Sequence, residues 1–312
     1  MTTNIVTTNQ NIEVNVDAAL LENWKAFLDV GSNTIRAYKG AVKRLLQWLQ
    51  KHCISKPTRT DLIDYKKEML QDLKPASVQL NIIAIRLFFA WAAQAGLYPN
   101  IADNLKGVKV DTSEHRKDDL SSDSIKAILQ TINPDTAAKK RDYALFLLLA
   151  ACGLRSIEAE RANIEDLSFI GNKTVLYLQG KGRHDKGDFV IVPSKVEKAL
   201  REYLATRKSP KATAPLFVSV SNRTAAMDGR LTTRSIRRII KGYMVEAGYN
   251  SDKITTHSLR HSAVTIALSE GKPIDEVMRF ARHRSINTTM IYNHRIAKIN
   301  NSCSDSVAAA II

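Results

Sequence analysis

The sequence predicts a mainly helical protein of two domains with one small antiparallel β-sheet, and three observations predict it. Ala, Leu, Ile and Val dominate an apolar content of 44% while aromatics are held to 6%, and the abundance of Ala and Leu favours helix. Apolar residues recur at i, i+3, i+4 and i+7 through most of the chain, the spacing of one buried helical face. Only two short runs rich in β-branched and aromatic residues break that pattern, on either side of a turn rich in Gly, Lys and Arg.

Taken in order, residues 1–15 are rich in Thr and Asn, lack Lys and Arg and hold no long apolar run. They read as a disordered terminus and not as a signal peptide. Residues 16–106 form an all-helical domain. Its first helix runs near Asp17 to Leu28. Its second starts after Ser32 or Asn33 and carries Ile35, Tyr38, Val42, Leu45, Leu46 and Leu49. Its third spans about Thr60 to Leu70. Its fourth starts after Pro75 and carries Val78, Ile82, Ile85, Phe88, Phe89 and Ala92 up to Gly96. Residues 107–119 are polar and charged, a linker that either lies as a basic strap across phosphates or is simply solvated.

The second domain covers residues 120–299. Ser121 or Ser122 caps a helix to Ile132, and Pro134 and Asp135 open a long helix through Leu149 that Gly153 breaks. Strands follow at Thr174–Leu178 and Asp188–Val192, joined by the turn Gly180–Gly187. Further helices are expected at Ser194–Thr206, Thr232–Ala247, Ser258–Ser269, Pro273–Ala281 and Ile286 to about Ile299. Residues 300–312 form a tail ending in the apolar run Val307–Ile312, which either docks on a neighbouring protomer or packs on its own domain.

Lys and Arg number 46 against 31 Asp and Glu, a net charge of +15. An excess of that size points to a polyanion, most often nucleic acid. Cys53, Cys152 and Cys303 are far apart and without CxxC spacing, so no disulfide framework or metal site follows, and they read as reduced thiols of a cytoplasmic protein. The longest apolar stretch noted, Tyr143–Cys152, is too short to span a membrane. Gly180-Lys181-Gly182 lacks the rest of a P-loop, so nucleotide use is not implied.

Six residues carry the chemistry: Arg155, Lys181, His257, Arg260, His283 and Tyr292. A guanidinium forks onto two phosphate oxygens in a way an ammonium cannot. Arg155 follows the Gly153 break, with Glu158 one turn on; a surface salt bridge between the two is the plainer reading. His257 and Arg260 are three apart and share a helical face, placing a proton carrier beside a phosphate clamp. His261, next to Arg260, points elsewhere and reads as structural. A phenol with its pKa near 10 needs a proton acceptor and nearby positive charge to act as a nucleophile, and the set offers both to Tyr292. In the strand-joining turn, Lys181 can swing into a phosphate site, with Lys186 as the rival. Two basic helix faces add candidate DNA contacts: Arg234, Arg237, Arg238 and Lys241 at i, i+3, i+4 and i+7, and Arg36, Lys39, Lys43 and Arg44.

Together and in this order, these residues resemble the active site of the tyrosine recombinases, the phage-integrase family. Gly153-Leu-Arg155-Ser-Ile-Glu158 looks like the first arginine box, with Glu158 in support. His257-Ser-Leu-Arg260 is similar to the HxxR motif, and His283 through Tyr292 to His294 resembles the segment bearing the nucleophile. One residue departs: the family usually has Gly before this histidine, and here it is Arg282, which crowds the turn or reaches DNA. The resemblance implies a helical core-binding domain and a mixed helical catalytic domain that clamp duplex DNA, with no separate arm-binding domain. It implies attack by Tyr292, a 3′-phosphotyrosine and a free 5′-hydroxyl. Arg155 and Arg260 would stabilise the transition state, Lys181 would protonate the leaving oxygen, His257 would assist proton transfer, and His283 would bond the phosphate. No metal or cofactor is implied. The partners implied are duplex DNA with paired recombination sites and a homo-tetramer working through a Holliday junction, with room for an accessory directionality protein. Integration or excision of a mobile element and resolution of DNA dimers both remain open, as do a type IB topoisomerase and a binding protein without catalysis.

Overall fold

The computed structural model describes residues 18–110, 118–180, 185–220, 227–299 and 301–312. The expectations of a disordered 1–15 and of a linker over 111–117 therefore lie outside the described residues. The chain divides into two compact units, Met1–Thr112 and Ser113–Ile312.

The first unit holds α1 (Ala18–Phe27), α2 (Ser32–Lys51), α3 (Arg59–Asp72) and α4 (Pro75–Gln94). On α2 the buried residues Ala41, Val42, Leu45, Leu46 and Leu49 keep to one stripe, as a helix with one apolar face requires. They pack with Trp24, Leu62, Ile82, Ile85 and Phe88; Trp24 meets Phe88 edge-on at 5.5 Å between ring centres. Thr58 and Asp61 form the reciprocal capping box that starts α3, and Pro75 opens α4, where its missing N–H costs nothing. By length and composition α4 could cross a membrane, but Val78, Ile82, Ile85, Phe88, Phe89 and Ala92 bury it in this core.

The second unit runs α5 (Ser122–Gln130), α6 (Ala137–Ala151), α7 (Ser156–Arg161), a 3-10 turn (Ile164–Asp166), β1 (Leu167–Ile170), β2 (Lys173–Leu178), β3 (Asp188–Ile191) and α8 (Ser194–Leu204). It continues with β4 (Val218–Val220), β5 (Met227–Arg230), α9 (Thr233–Glu246), α10 (Thr256–Ser269), α11 (Ile274–Ala281), α12 (Ile286–Ile299) and α13 (Cys303–Ile311). The strands form two antiparallel sheets, β1-β2-β3 and β4-β5. Helix α6 lies at the centre, with Leu145, Phe146, Leu148 and Leu149 inaccessible to solvent. A second buried cluster joins Val264 of α10, Val277 and Ala281 of α11 and Tyr292 of α12, and so fixes the helices that carry the candidate chemistry.

Three corrections to the sequence reading concern this unit. The chain forms β1, β4 and β5 beyond the two expected strands, so the described residues hold two small antiparallel sheets where one was expected. Helix α7 forms between Gly153 and the sheets. The long helix starts at Ala137, capped by Thr136 through its side-chain oxygen, and not at Pro134. Within the tail, Cys303–Ile311 forms α13, and the described tail residues 301–312 are all exposed.

Candidate active site

Four short segments of the second unit build the site. Gly153 ends α6 at φ +57°, a left-handed conformation that suits glycine, and a Cβ there would press on the Phe280 ring at 3.3 Å. The turn delivers Arg155 to the start of α7. Glu158 accepts from the Arg155 backbone N–H at 2.8 Å and from its guanidinium at 2.7 Å. The salt bridge and the arginine box are thus one structure. The Glu158 side chain is 1% exposed, while Arg155 keeps 30% open. Burial pushes the Glu158 carboxyl up, but Arg282 and Arg155 pull harder, and it sits below its ordinary value.

Helix α10 brings His257, Arg260 and His261. Thr255 and Ser258 form its capping box. Arg260 is 2% exposed. It donates to the carbonyl of Gly153 at 2.6 Å and to that of Ala281. Burial, then the neighbouring Arg155 and Arg282, lower its pKa to about 9. The cluster of Arg155, Arg260 and Arg282 holds three guanidiniums against the single carboxylate of Glu158, an arrangement that an anion would complete.

Tyr292 on α12 is 5% exposed. Burial raises its pKa to about 12 against the pull of Arg260, with Asp119 raising it and Arg155 lowering it further. Its hydroxyl is hydrogen-bonded to Nδ1 of His261. The His283 ring lies nearly parallel to the phenol at 6.2 Å, and Nδ1 of His283 is held by the Thr289 hydroxyl at 2.9 Å. His257 meets His261 edge-on at 4.4 Å. Two imidazoles, His261 and His283, therefore flank the phenol, His257 lies behind His261, and Arg155 and Arg260 lie close enough to act on it.

Arg155, His257, Arg260, His283 and Tyr292 are thus brought together, and Glu158 with them. Lys181 lies outside the described residues. Its rival Lys186 is held by both carboxylate oxygens of Asp166, at 2.8 and 2.7 Å, and serves as a brace. Reading His261 as pointing away from the site is corrected: it bonds the phenol. The suggestion that Arg282 reaches DNA is corrected too, because its side chain is 4% exposed and turned into the protein.

On α9 the basic face is divided. Arg234, Arg237 and Arg238 are exposed. Lys241 instead donates to the carbonyls of Tyr249, Ser251 and Ile254 at 3.3, 2.8 and 2.9 Å, tying down the loop before α10. In the first unit, Arg36 and Lys43 are exposed, with Arg36 bonded to Asn33. Lys39 pairs with Glu22, and Arg44 donates to Asn81 at 2.9 Å. Among the described residues no group of His, Cys, Asp and Glu could hold a metal ion.

The phage integrase family model matches residues 118–298, which include every described residue of this site. The chain belongs to the phage integrase family, the tyrosine recombinases. The family's N-terminal SAM-like domain matches residues 21–96. Tyrosine recombinase XerA of Thermococcus onnurineus is 28% identical to this recombinase over 276 residues, 88% of this chain and 89% of that protein. Tyrosine recombinase XerD of Oceanobacillus iheyensis is 29% identical, over 88% and 93% of the two chains. The solved structure of XerH site-specific recombinase bound to palindromic difH substrate, a post-cleavage complex, covers 92% of this chain and 84% of its own with a TM-score of 0.72. At 20% identity that likeness is one of fold.

Two residues of this recombinase's site escaped the sequence reading. His261 is four positions from His257, and the i, i+4 rule places both on one face of α10; weighing it against Arg260 alone hid that. Arg282 was noticed as a departure, but its inward course depends on a carbonyl and a carboxylate more than 120 positions away in the chain.

Proposed function

We propose that this recombinase cleaves and rejoins duplex DNA through a 3′-phosphotyrosine on Tyr292. The observation that carries the reading is the phenol of Tyr292 bonded to His261 and flanked by His283, with His257 against His261, next to Arg155 and Arg260. In the step proposed, the Tyr292 oxygen bonds to the scissile phosphorus and the bond to the 5′-oxygen breaks. Arg155 and Arg260 bind the non-bridging oxygens, where negative charge grows in the transition state. Lys181 gives the leaving oxygen its proton, His257 assists removal of the phenolic proton, and His283 bonds the phosphate. The phosphotyrosine conserves the bond energy, so a 5′-hydroxyl of a partner strand reverses the step without nucleotide or metal.

The exposed Arg234, Arg237 and Arg238 would add contacts to the DNA backbone, and Arg36 and Lys43 would do so from the first unit. Two rounds of exchange through a Holliday junction in a tetramer on paired sites complete the reading, in the cytoplasm, for integration or excision of a mobile element or for resolution of dimers. An accessory protein would set direction. The wholly exposed α13, with Val307, Ile311 and Ile312 outward, suits docking on a neighbouring protomer.

Covalent trapping tests it. DNA from the flanks of the gene, nicked so that the cleaved fragment diffuses away, is mixed with the protein and with Tyr292→Phe. An adduct that maps to Tyr292 and is absent from the variant supports the reading, and sequencing the trapped DNA gives the site. Tight binding of the same DNA without any adduct counts against catalysis by this chain alone.

A further inference from the structure

Arg282 caps α11 at φ +52° and ψ +46°, a left-handed conformation that favours glycine and that an arginine adopts against a steric cost. Its guanidinium is also buried, which is costly for a charge unless it is paired. It donates to the Phe280 carbonyl at 2.8 Å, to the Gly153 carbonyl at 3.0 Å and to Glu158 Oε2 at 2.9 Å, while its Nε is buried without a partner among the described residues. A strained backbone and a buried charge at one residue point to a contact that holds them there. Two of these three partners, Gly153 and Glu158, are shared with phosphate-binding candidates. Arg260 donates to the same Gly153 carbonyl. Arg155 takes Glu158 through Oε1 and approaches the Arg282 carbonyl at 3.4 Å.

We propose that Arg282 is a positioning residue for Arg155 and Arg260, one that keeps Glu158 from closing on Arg155 as a two-pronged pair. A carboxylate and a guanidinium left to themselves settle into a fork with two parallel hydrogen bonds. Such a pair would use two of the Arg155 donors inside the protein. Oε2 accepts from the Arg155 backbone N–H and from Arg282 together; with Arg282 taking its second lone pair, the Arg155 guanidinium is held by Oε1 alone and keeps N–H groups available to a phosphate. The charge balance works in the same direction. Three guanidiniums share one carboxylate, and the site gains from an incoming anion what it lacks in the free protein. This deepens the proposed function and rests on it for the identity of that anion as the scissile phosphate.

Two readouts separate the two ideas, on the full-length protein as wild type, Arg282→Gly, Arg282→Met and Arg282→Lys. The first is the melting temperature in inorganic phosphate against chloride at equal ionic strength. The second is the single-turnover rate of adduct formation on the nicked DNA, with DNA affinity measured alongside. The expected result is a phosphate-specific stabilisation in the wild type that Gly and Met abolish and Lys partly keeps. Adduct formation should fall about 10- to 100-fold in Gly and Met, the range for losing an outer partner of a direct contact, with DNA affinity unchanged and Lys in between. Arg282→Gly relieves the backbone conformation, so a merely accommodated side chain predicts wild-type behaviour in both assays. That outcome overturns the proposal, as does a wild type without a phosphate-specific shift or an Arg282→Lys no better than Arg282→Met. A phosphate response that depends on Arg282 in a protein forming no adduct keeps the anion site and removes the catalytic reading instead.

Discussion

Two ionisable residues of the site titrate in opposite senses. Tyr292, with its pKa raised by burial from 10.0 to about 12, favours the neutral phenol in the folded protein. The stability this contributes is present below pH 10 and is lost as pH rises towards 12. With the tyrosine ring carbons labelled for NMR, several signals should stay neutral near pH 10.5 while exposed tyrosines titrate, those of the buried Tyr203 and Tyr243 among them, and Tyr292→Phe should remove one of these late signals; a Tyr292 signal that moves with the exposed tyrosines refutes the resting state described. Glu158 has the reverse sign. Its lowered pKa adds stability above the ordinary value of 4.5, and that stability disappears as pH falls through the folded value. Glu158→Gln should therefore flatten the acid side of the stability curve, read by denaturant melts between pH 3 and pH 7, and should lower stability at neutral pH because Arg282 loses its anionic partner. At this scale, motif spacing made Arg155, His257, Arg260, His283 and Tyr292 legible, because each lies in a short string. The partner of the Tyr292 hydroxyl and the direction of the Arg282 side chain were not, since each depends on contacts between separate helices.

Helix α9 shows how one face can hold two kinds of charge. Arg234, Arg237 and Arg238 are exposed, whereas Lys241 closes over three carbonyls of its own chain. Replacing any one of the three arginines by Ala should weaken DNA binding and reduce the salt slope by about 1 if it meets a phosphate, with no change in melting. Lys241→Ala should do the opposite: lower stability by about 1 kcal/mol, the net worth of hydrogen bonds to carbonyls that water can partly reach, with little change in the salt slope. Binding isotherms at several salt concentrations beside thermal melts check both, and a Lys241 variant that melts like the wild type refutes its role as a brace. Sequence spacing placed these four residues on one helical face but could not separate them, because the carbonyls that take Lys241 lie in a loop without regular pattern. The same limit explains the elements. Helices α2, α4 and α9 were legible because a long amphipathic stripe repeats its signal over several turns. Strands β1, β4 and β5 are three or four residues long, and β5 contains Asp228 and Gly229, types that strands avoid; only pairing with a neighbour makes them strands.

At the scale of the whole chain, each unit has a core of its own. Leu21 to Leu105 supply one buried cluster; Leu120 to Leu259, and then Val264 to Tyr292, supply the others. Among the described residues each of these clusters is drawn from a single unit. A core closed within one unit lets that unit fold alone, so residues 1–112 and 113–312, expressed separately, should each melt cooperatively. The site residues all belong to the second piece, so Arg155, Arg260, His261 and Tyr292 should keep their mutual geometry there, and the late-titrating signal that Tyr292→Phe removes should persist in it. If both units contact the DNA, joining them converts the second contact into an intramolecular one and raises affinity without any new interaction. Each piece should then bind a given duplex at least about 100-fold more weakly than the intact chain, and mixing the pieces should not restore it at micromolar concentration. Calorimetry and binding assays on the two pieces decide this. A first piece that fails to fold would mean its core needs the rest of the chain, and a second piece that binds as tightly as the intact protein would confine recognition to residues 113–312.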